Sequence, residues 1–113
     1  MKRGDVFHNG KKLFSCKIND TFFSRLRGLM FRKPLGKNEG IILKFDSEQR
    51  IDLHMLFVFF PIDMIWIRDG KIVKIERNAR QFKPFIKGEI ADAVLEVPVG
   101  TAIDLRIGEK LIF

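Results

Sequence analysis

The chain has 113 residues, a formal net charge of +7 and a single cysteine. That length corresponds to one domain, 1–113, which can bury roughly two thirds of its unfolded surface without a disulfide or a structural metal. The lone cysteine excludes an internal disulfide, and the longest apolar run, 55–62, is far shorter than the ~20 residues of a membrane-spanning helix. We therefore expect a soluble, cytoplasmic protein with no membrane partner.

The positive charge is concentrated in the first third of the chain. Residues 1–37 hold ten lysines and arginines against two acids, whereas the rest of the chain is nearly balanced. A concentrated basic segment favours an anionic partner such as nucleic acid or phosphate, but positive charge also keeps a phenylalanine-rich protein in solution. Both interpretations stay open from the sequence.

The first predicted elements are a β-hairpin and a short helix. Asn9-Gly10 is typical of a two-residue hairpin turn, here between strands at 5–8 and 11–18. Asp20 is a suitable N-cap and Gly28 a suitable C′ residue, and the apolar residues between them have helical spacing. We therefore predict a helix of about two turns over residues 20–28.

The central segment is the most apolar part of the chain and predicts a buried hairpin. β-Branched and aromatic residues favour strands, and Pro61 interrupts them because it cannot donate to a ladder. Asp69-Gly70 supplies the next hairpin turn. The predicted elements are, in order, strand 41–45, turn 46–49, strands 57–60 and 62–67, and strand 71–76.

The last third of the chain predicts a long loop, two strands and a helical turn. Residues 78–89 have no clean period and carry several cations and two phenylalanines, which is typical of a functional or mobile loop. A strand at 92–97, a helical turn at 101–106 and a last strand at 110–113 follow. The whole pattern predicts a mainly β fold, a compact antiparallel sandwich or barrel with one or two short helices.

Three segments resemble domain-of-unknown-function family 192. Residues 27–32 resemble the family's arginine-glycine-leucine-methionine motif, and 61–73 resembles its central proline-aspartate hairpin. Residues 94–97 followed by 100–102 and 107–108 resemble its C-terminal signature. The resemblance implies a mainly β sandwich or barrel with one or two short helices, and it brings no activity, cofactor or catalytic residue.

Asp63 is the first candidate site residue. Strand alternation places it on one face with Ile65 and Ile67, so a carboxylate lies among β-branched side chains. Burial would raise its pKa and suit acid–base chemistry, whereas backbone donors or an arginine such as Arg27 or Arg32 would keep it ionised. A functional and a structural role therefore both stay open for Asp63.

His54 is the second candidate, because the nearby Asp52 could orient its ring as a base. No nucleophile motif accompanies it, so a structural role is the alternative. The two histidines and one cysteine lack zinc-ligand spacing, which disfavours a metal site, and we predict no cofactor. An oxygen-only site built from Asp52, Asp63 and Asp92 stays open.

The predicted function is a non-catalytic binding module for a small ligand or a protein partner. Its groove lies between the loop at 27–35 and the loop at 79–90. The predicted binding residues are Arg27, Arg32, His54 and Asp63. Two alternatives are a small enzyme that uses Asp63 as acid or base, and a module that binds nucleic acid or another polyanion through the basic N-terminal third. No reaction follows from the sequence.

Overall fold

Six strands form one sheet in the computed structural model, which describes residues 3–19, 35–36 and 38–113. The order across the sheet is β1-β2-β3-β6-β4-β5, and it confirms the mainly β class. The strands are β1 (Arg3–His8), β2 (Lys11–Asn19), β3 (Glu39–Leu53), β4 (Ile62–Arg68), β5 (Lys71–Ala79) and β6 (Ile86–Pro98).

Both predicted hairpin turns are confirmed. Asn9 and Gly10 join β1 to β2 with φ of 52° and 79°, and Asp69 and Gly70 join β4 to β5 with φ of 50° and 77°. A two-residue turn with positive φ at both positions matches the right-handed twist of the flanking strands. Asn and Asp tolerate positive φ better than most residues, and these turns could therefore be predicted from the sequence.

The sheet is not closed into a barrel. β1 and β5 lie at its two edges, and the C-terminal segment reaches both through isolated bridges, Phe7 with Ile112 and Lys71 with Lys110. One strand pair also departs from the antiparallel prediction, because β2 and β3 run parallel with Ser15 beside Glu39. Strand direction depends on which distant strands pair, and local patterns do not carry that information.

Two local predictions in the centre of the chain are wrong. Residues 46–49 are no turn, because β3 runs unbroken from 39 to 53 and takes up the irregularity as a register shift between Lys44 and Gln49. Residues 57–60 are no strand: Phe57 has φ of 57°, which strands exclude, and 54–61 form a loop. β-Propensity reflects packing on a pleated surface, and part of this aromatic run remains exposed instead.

The described residues contain no α-helix. The helix predicted for 20–28 lies outside the described residues. The helical turn predicted for 101–106 is a succession of single turns, in which Ile103 N–H donates to Gly100 O and Leu105 N–H to Ala102 O. Arg77 fixes this segment from β5, because its guanidinium donates to the carbonyls of Ala102 and Leu105.

Apolar side chains cover both faces of the sheet. One face carries a cluster that includes Trp66, Met64 and Val94, and the other a cluster that includes Phe14, Ile65 and Leu95. Alternation along β4 and β6 sends neighbouring residues to opposite clusters. Because every side chain from 62 to 67 is buried, β4 is a central strand covered on both faces.

Candidate functional site

Asp63 is buried, with 2% of its surface exposed, and both of its carboxylate oxygens are bonded to the backbone. Oδ1 accepts a hydrogen bond of 2.8 Å from the N–H of Asn78, and Oδ2 accepts one of 3.0 Å from the N–H of Gly100. Both donors have positive φ, 53° and 96°. The carboxylate therefore links the end of β5 to the turn that follows β6.

The Asn78 end of this link is a β-bulge. Ile62 pairs with Ala79 and Met64 with Glu76, so β5 has one residue more than β4 between these pairs. A bulge leaves a backbone group without a ladder partner. Asp63 lies in β4 opposite the extra residue and accepts the N–H of Asn78. This is the bonding that the structural alternative for Asp63 requires.

A cleft of about 480 Å³ lies beyond the bulge. Its wall is formed by the end of β5 and the loop that follows, which belongs to the 79–90 side of the predicted groove. The cleft is lined by Glu76, Asn78, Ala79, Arg80, Gln81, Phe82 and Lys83. A volume of this size is within the range of small-molecule sites, roughly 300–1,000 Å³.

The cleft has more positive than negative groups. Arg80 and Lys83 are exposed, and within the part of the chain that the structure describes their charged groups make no hydrogen bond or ion pair. Glu76 is the acid of the lining and is half-buried. Phe82 adds an aromatic ring that is about half exposed. The lining thus offers two exposed cations and an apolar planar surface.

The loop that lines the cleft is attached to the loop at 54–61. Met55 N–H donates to Lys83 O at 2.6 Å, and Phe82 N–H donates to Met55 O at 2.8 Å. The rings of Phe59 and Phe82 add an edge-to-face contact with centroids 5.4 Å apart. Two segments separated by about 25 residues of chain therefore form one surface.

His54 and Asp52 are bonded to other groups rather than arranged as a base and its orienting acid. His54 Nδ1 accepts from the N–H of Leu56 at 3.1 Å. The Asp52 carboxylate accepts from the N–H of Gly88 at 2.7 Å and from Arg50 Nε at 3.1 Å. The Gly88 N–H is the main cause of the lowered pKa of Asp52.

Glu96 is the buried carboxyl that the sequence analysis missed as a site residue. It lies on β6 opposite Met64 of β4 and Ile41 of β3, and 5% of its surface is exposed. Removal from water disfavours the carboxylate and raises its pKa to about 7. Its position inside the apolar run 93–97 was the available signal.

Asn19 is a second buried polar residue on the face of Glu96. Glu96 pairs with Ile41 of β3, and Ile41 pairs with Lys17 of β2. Asn19 lies two residues after Lys17 on β2, and its side chain therefore points to the same face as Glu96. Among the described residues its side-chain amide has no hydrogen-bond partner for either the nitrogen or the oxygen. Neither Asn19 nor Glu96 lines the cleft.

The remaining site predictions concern arginines and metals. Arg27 and Arg32 lie outside the described residues, so their predicted role as anchors beside Asp63 stays a prediction. Within residues 3–19, 35–36 and 38–113 no group of three or more His, Cys, Asp or Glu side chains is arranged to hold a metal ion. No helix in the same residues is long and apolar enough to cross a membrane.

The sequence is similar to one family model and to several archaeal proteins. The model of DUF192, described as "Uncharacterized ACR", matches residues 5–113. Proteins of Thermococcus kodakarensis and Thermococcus gammatolerans, both named UPF0127 proteins, are 29% and 30% identical over 107 residues, 95% of this chain. The chain spans 65% of the length of the first and 67% of the second.

Two crystal structures have a similar fold. A protein of unknown function from Novosphingobium aromaticivorans has a TM-score of 0.85 at 24% identity, covering 96% of this chain and 82% of its own. A protein from Sinorhizobium meliloti, named as a candidate transcription regulator, has a TM-score of 0.87 at 25% identity, with coverages of 97% and 91%. The six-stranded architecture is therefore shared with solved structures.

Proposed function

Because the chain belongs to domain-of-unknown-function family 192, described only as uncharacterized, we propose from its own site that it is a non-catalytic module that binds a small anionic ligand. The ligand occupies the cleft lined by residues 76–83. The observation that carries the proposal is that this cleft combines two exposed cations, Arg80 and Lys83, with the half-exposed ring of Phe82.

The chemistry of the lining selects the ligand class. A guanidinium forms paired hydrogen bonds with carboxylate or phosphate oxygens, and an ammonium adds a point charge. An aromatic ring favours a ligand with a planar apolar group, because the two can stack without a hydrogen bond. An anion that also carries a ring satisfies both parts of the lining better than a bare anion does.

In this proposal Asp63 does not contact the ligand but stabilises the backbone of the cleft wall. Its bond to Asn78 maintains the bulge from which the cleft wall begins. An acid–base role gains no support from this geometry, because both oxygens already accept backbone N–H groups and the side chain is buried. The enzyme alternative would therefore need a different titratable group.

The polyanion alternative through the basic N-terminal third stays a prediction. Most cations of residues 1–37 lie outside the described residues. Of those described, Lys12 pairs with Asp5 at 3.5 Å. The cleft is thus the better supported site for an anion.

The test is a titration of the protein with adenosine monophosphate, and separately with inorganic phosphate, followed through backbone amide chemical shifts. We expect both probes to shift the amides of residues 78–83, with adenosine monophosphate binding more tightly. Replacing Arg80 and Lys83 together by Ala should weaken binding about tenfold or more, because each charge-assisted hydrogen bond is worth about 1.5–3 kcal/mol.

Lys71→Ala is the matched control, since Lys71 is an exposed cation of β5 at the end of that strand away from the cleft. Its binding curves should overlay those of the unmodified protein. Saturating probe that leaves the amides of 78–83 unshifted would show that the cleft is not a ligand site.

A further inference from the structure

Five large apolar side chains are exposed on two loops that are hydrogen-bonded to each other. They belong to the two attached loops, 54–61 and 80–85, and between 40% and 56% of each is exposed. We call them the aromatic tip: Leu56, Phe57, Phe59, Phe82 and Phe85. The rings of Phe59 and Phe82 are in contact, and groups of exposed apolar side chains mark interaction surfaces in soluble domains.

The backbone of the tip is unusual at two of these residues. Phe57 and Phe82 have φ of 57° and 66°, in the left-handed region that bulky residues avoid. Both rings are about half exposed. Strain of this kind is concentrated at functional sites, where it fixes the groups that contact a partner.

The charged residues of the two loops and of the start of β6 are cations. Residues 54–62 and 80–88 contain no Asp or Glu, whereas 80–88 contains Arg80, Lys83 and Lys87. Along that segment the cations alternate with Phe82 and Phe85. The partner that complements this surface is therefore anionic and offers flat apolar groups at short intervals.

We propose that the aromatic tip binds single-stranded nucleic acid, with bases stacked on the phenylalanine rings and phosphates beside the cations. Single-strand binders combine these two elements, because every base has a stacking face and the backbone is uniformly charged. The inference rests on the proposed function, since the ligand in the 76–83 cleft is then one nucleotide of the bound strand.

Three other occupants fit less well. A second copy of the chain would bring Arg80, Lys83 and Lys87 against themselves across a two-fold axis. A lipid surface that buried the rings would also have to dehydrate the cations, because the cations alternate with the rings along the chain.

The third occupant, a peptide added as a strand along the backbone, would meet a backbone that is partly hydrogen-bonded already. The N–H groups of five residues in the two loops are bonded within these loops: Met55, Leu56, Val58, Phe82 and Lys83. The exposed rings and cations are the side chains that a nucleic-acid strand uses.

The experiment compares fluorescein-labelled oligothymidylate and oligouridylate of about 20 nucleotides with a duplex of the same length by fluorescence anisotropy. We expect the single strands to bind more tightly than the duplex and more tightly than adenosine monophosphate. Replacing Phe57 and Phe85 by Ala should weaken single-strand binding at least about tenfold, because stacking on one aromatic is worth about 1–3 kcal/mol. The salt dependence of that variant should be unchanged.

Lys87→Ala should instead lower the slope of log affinity against log salt by about 0.7, the value for one phosphate contact with a single strand. The matched control replaces Ile103 and Ile107, which are exposed apolar residues outside the tip, by Ala. That control should bind as the unmodified protein does. Circular dichroism of each variant establishes that the exposed substitutions leave the fold intact.

The possible failures are distinguishable. If adenosine monophosphate binds in the cleft but oligonucleotides bind no more tightly than it does, the inference is overturned and the proposed function stands. Absence of both would overturn both. Equal losses in the tip variant and the Ile103/Ile107 control, or binding only to phosphatidylserine vesicles, would also overturn the inference.

Discussion

Asp63 Oδ1 accepts a hydrogen bond of 2.8 Å from the backbone N–H of Asn78, directly opposite the extra residue of the β5 bulge. The bond joins a buried side chain of the sheet to the residue at which the cleft wall begins. A carboxylate that lies among apolar side chains thus stabilises the conformation of the cleft wall. Removal of this carboxylate should lower the free energy of unfolding and weaken binding in the cleft.

Asp63→Asn is expected to lower the free energy of unfolding by about 1.5–3 kcal/mol, since hydrogen bonds to a charged group have this value. The amide keeps the size of the side chain but presents one donor to a backbone N–H that needs an acceptor. Urea unfolding at neutral pH measures the loss. Asp46→Asn, at an exposed position, should stay within about 0.5 kcal/mol of the unmodified protein. Equal stability of the two variants would contradict the role assigned to Asp63.

Gly88→Ala is expected to destabilise the protein by about 3 kcal/mol or more. A Cβ at this position would collide with the carbonyl oxygen of Ile51 and lie 2.8 Å from Trp66 Nε1. The same carbonyl accepts the indole N–H of Trp66 at 2.7 Å, so neither group can yield without breaking a buried hydrogen bond.

Gly4→Ala serves as the comparison for this prediction. Its Cβ would meet only the flexible end of Ile18, at 3.3 Å. Thermal unfolding of both variants measures the difference. An Ala at 88 that is tolerated as well as an Ala at 4 would show that the β3–β6 contact is looser than described.

Glu96 should make stability depend on pH with a definite sign. Its pKa in the folded protein is raised to about 7 from an ordinary 4.5, so the folded state binds more protons than the unfolded state between these values. The free energy of unfolding should therefore fall as pH rises from about 4.5 to 7, by up to about 3 kcal/mol.

Glu96→Gln should remove that dependence, because an amide does not titrate. The difference between the variant and the unmodified protein should then grow in favour of the variant with rising pH. Glu89→Gln, an exposed position on the same strand, should keep the original profile. Urea unfolding at several pH values measures both. Parallel profiles for the Glu96 variant and the unmodified protein would refute the prediction.

Cys16 should be unreactive in the folded protein. The side chain is fully buried, its Sγ donates to Gly4 O at 3.3 Å, and burial raises its pKa to about 11. Because the thiolate is the reactive form, labelling by a disulfide reagent near pH 8 should be at least about 100-fold slower than in concentrated urea. Cys16 is the chain's single cysteine, so the rate has no other source. Rapid labelling under native conditions would show that β2 opens readily.

Short-range patterns determined much of the fold. The two hairpin turns, the mainly β class and β4 were predictable because positive-φ turns and alternation depend on neighbouring residues. Asp63 could be singled out for the same reason, as a carboxylate within an apolar run. The family resemblance was legible in three short segments and was confirmed over residues 5–113.

Tertiary structure alone decided the site. The parallel pairing of β2 with β3, the bulge opposite Asp63 and the contact between Met55 and Phe82 all depend on which distant segments meet. A run such as 57–60 has the composition of a buried strand, yet Phe57 and Phe59 are exposed in a loop. Burial and register are properties of the assembled sheet. The raised pKa of Glu96 and the position of the cations in the cleft could therefore be known only from the tertiary structure.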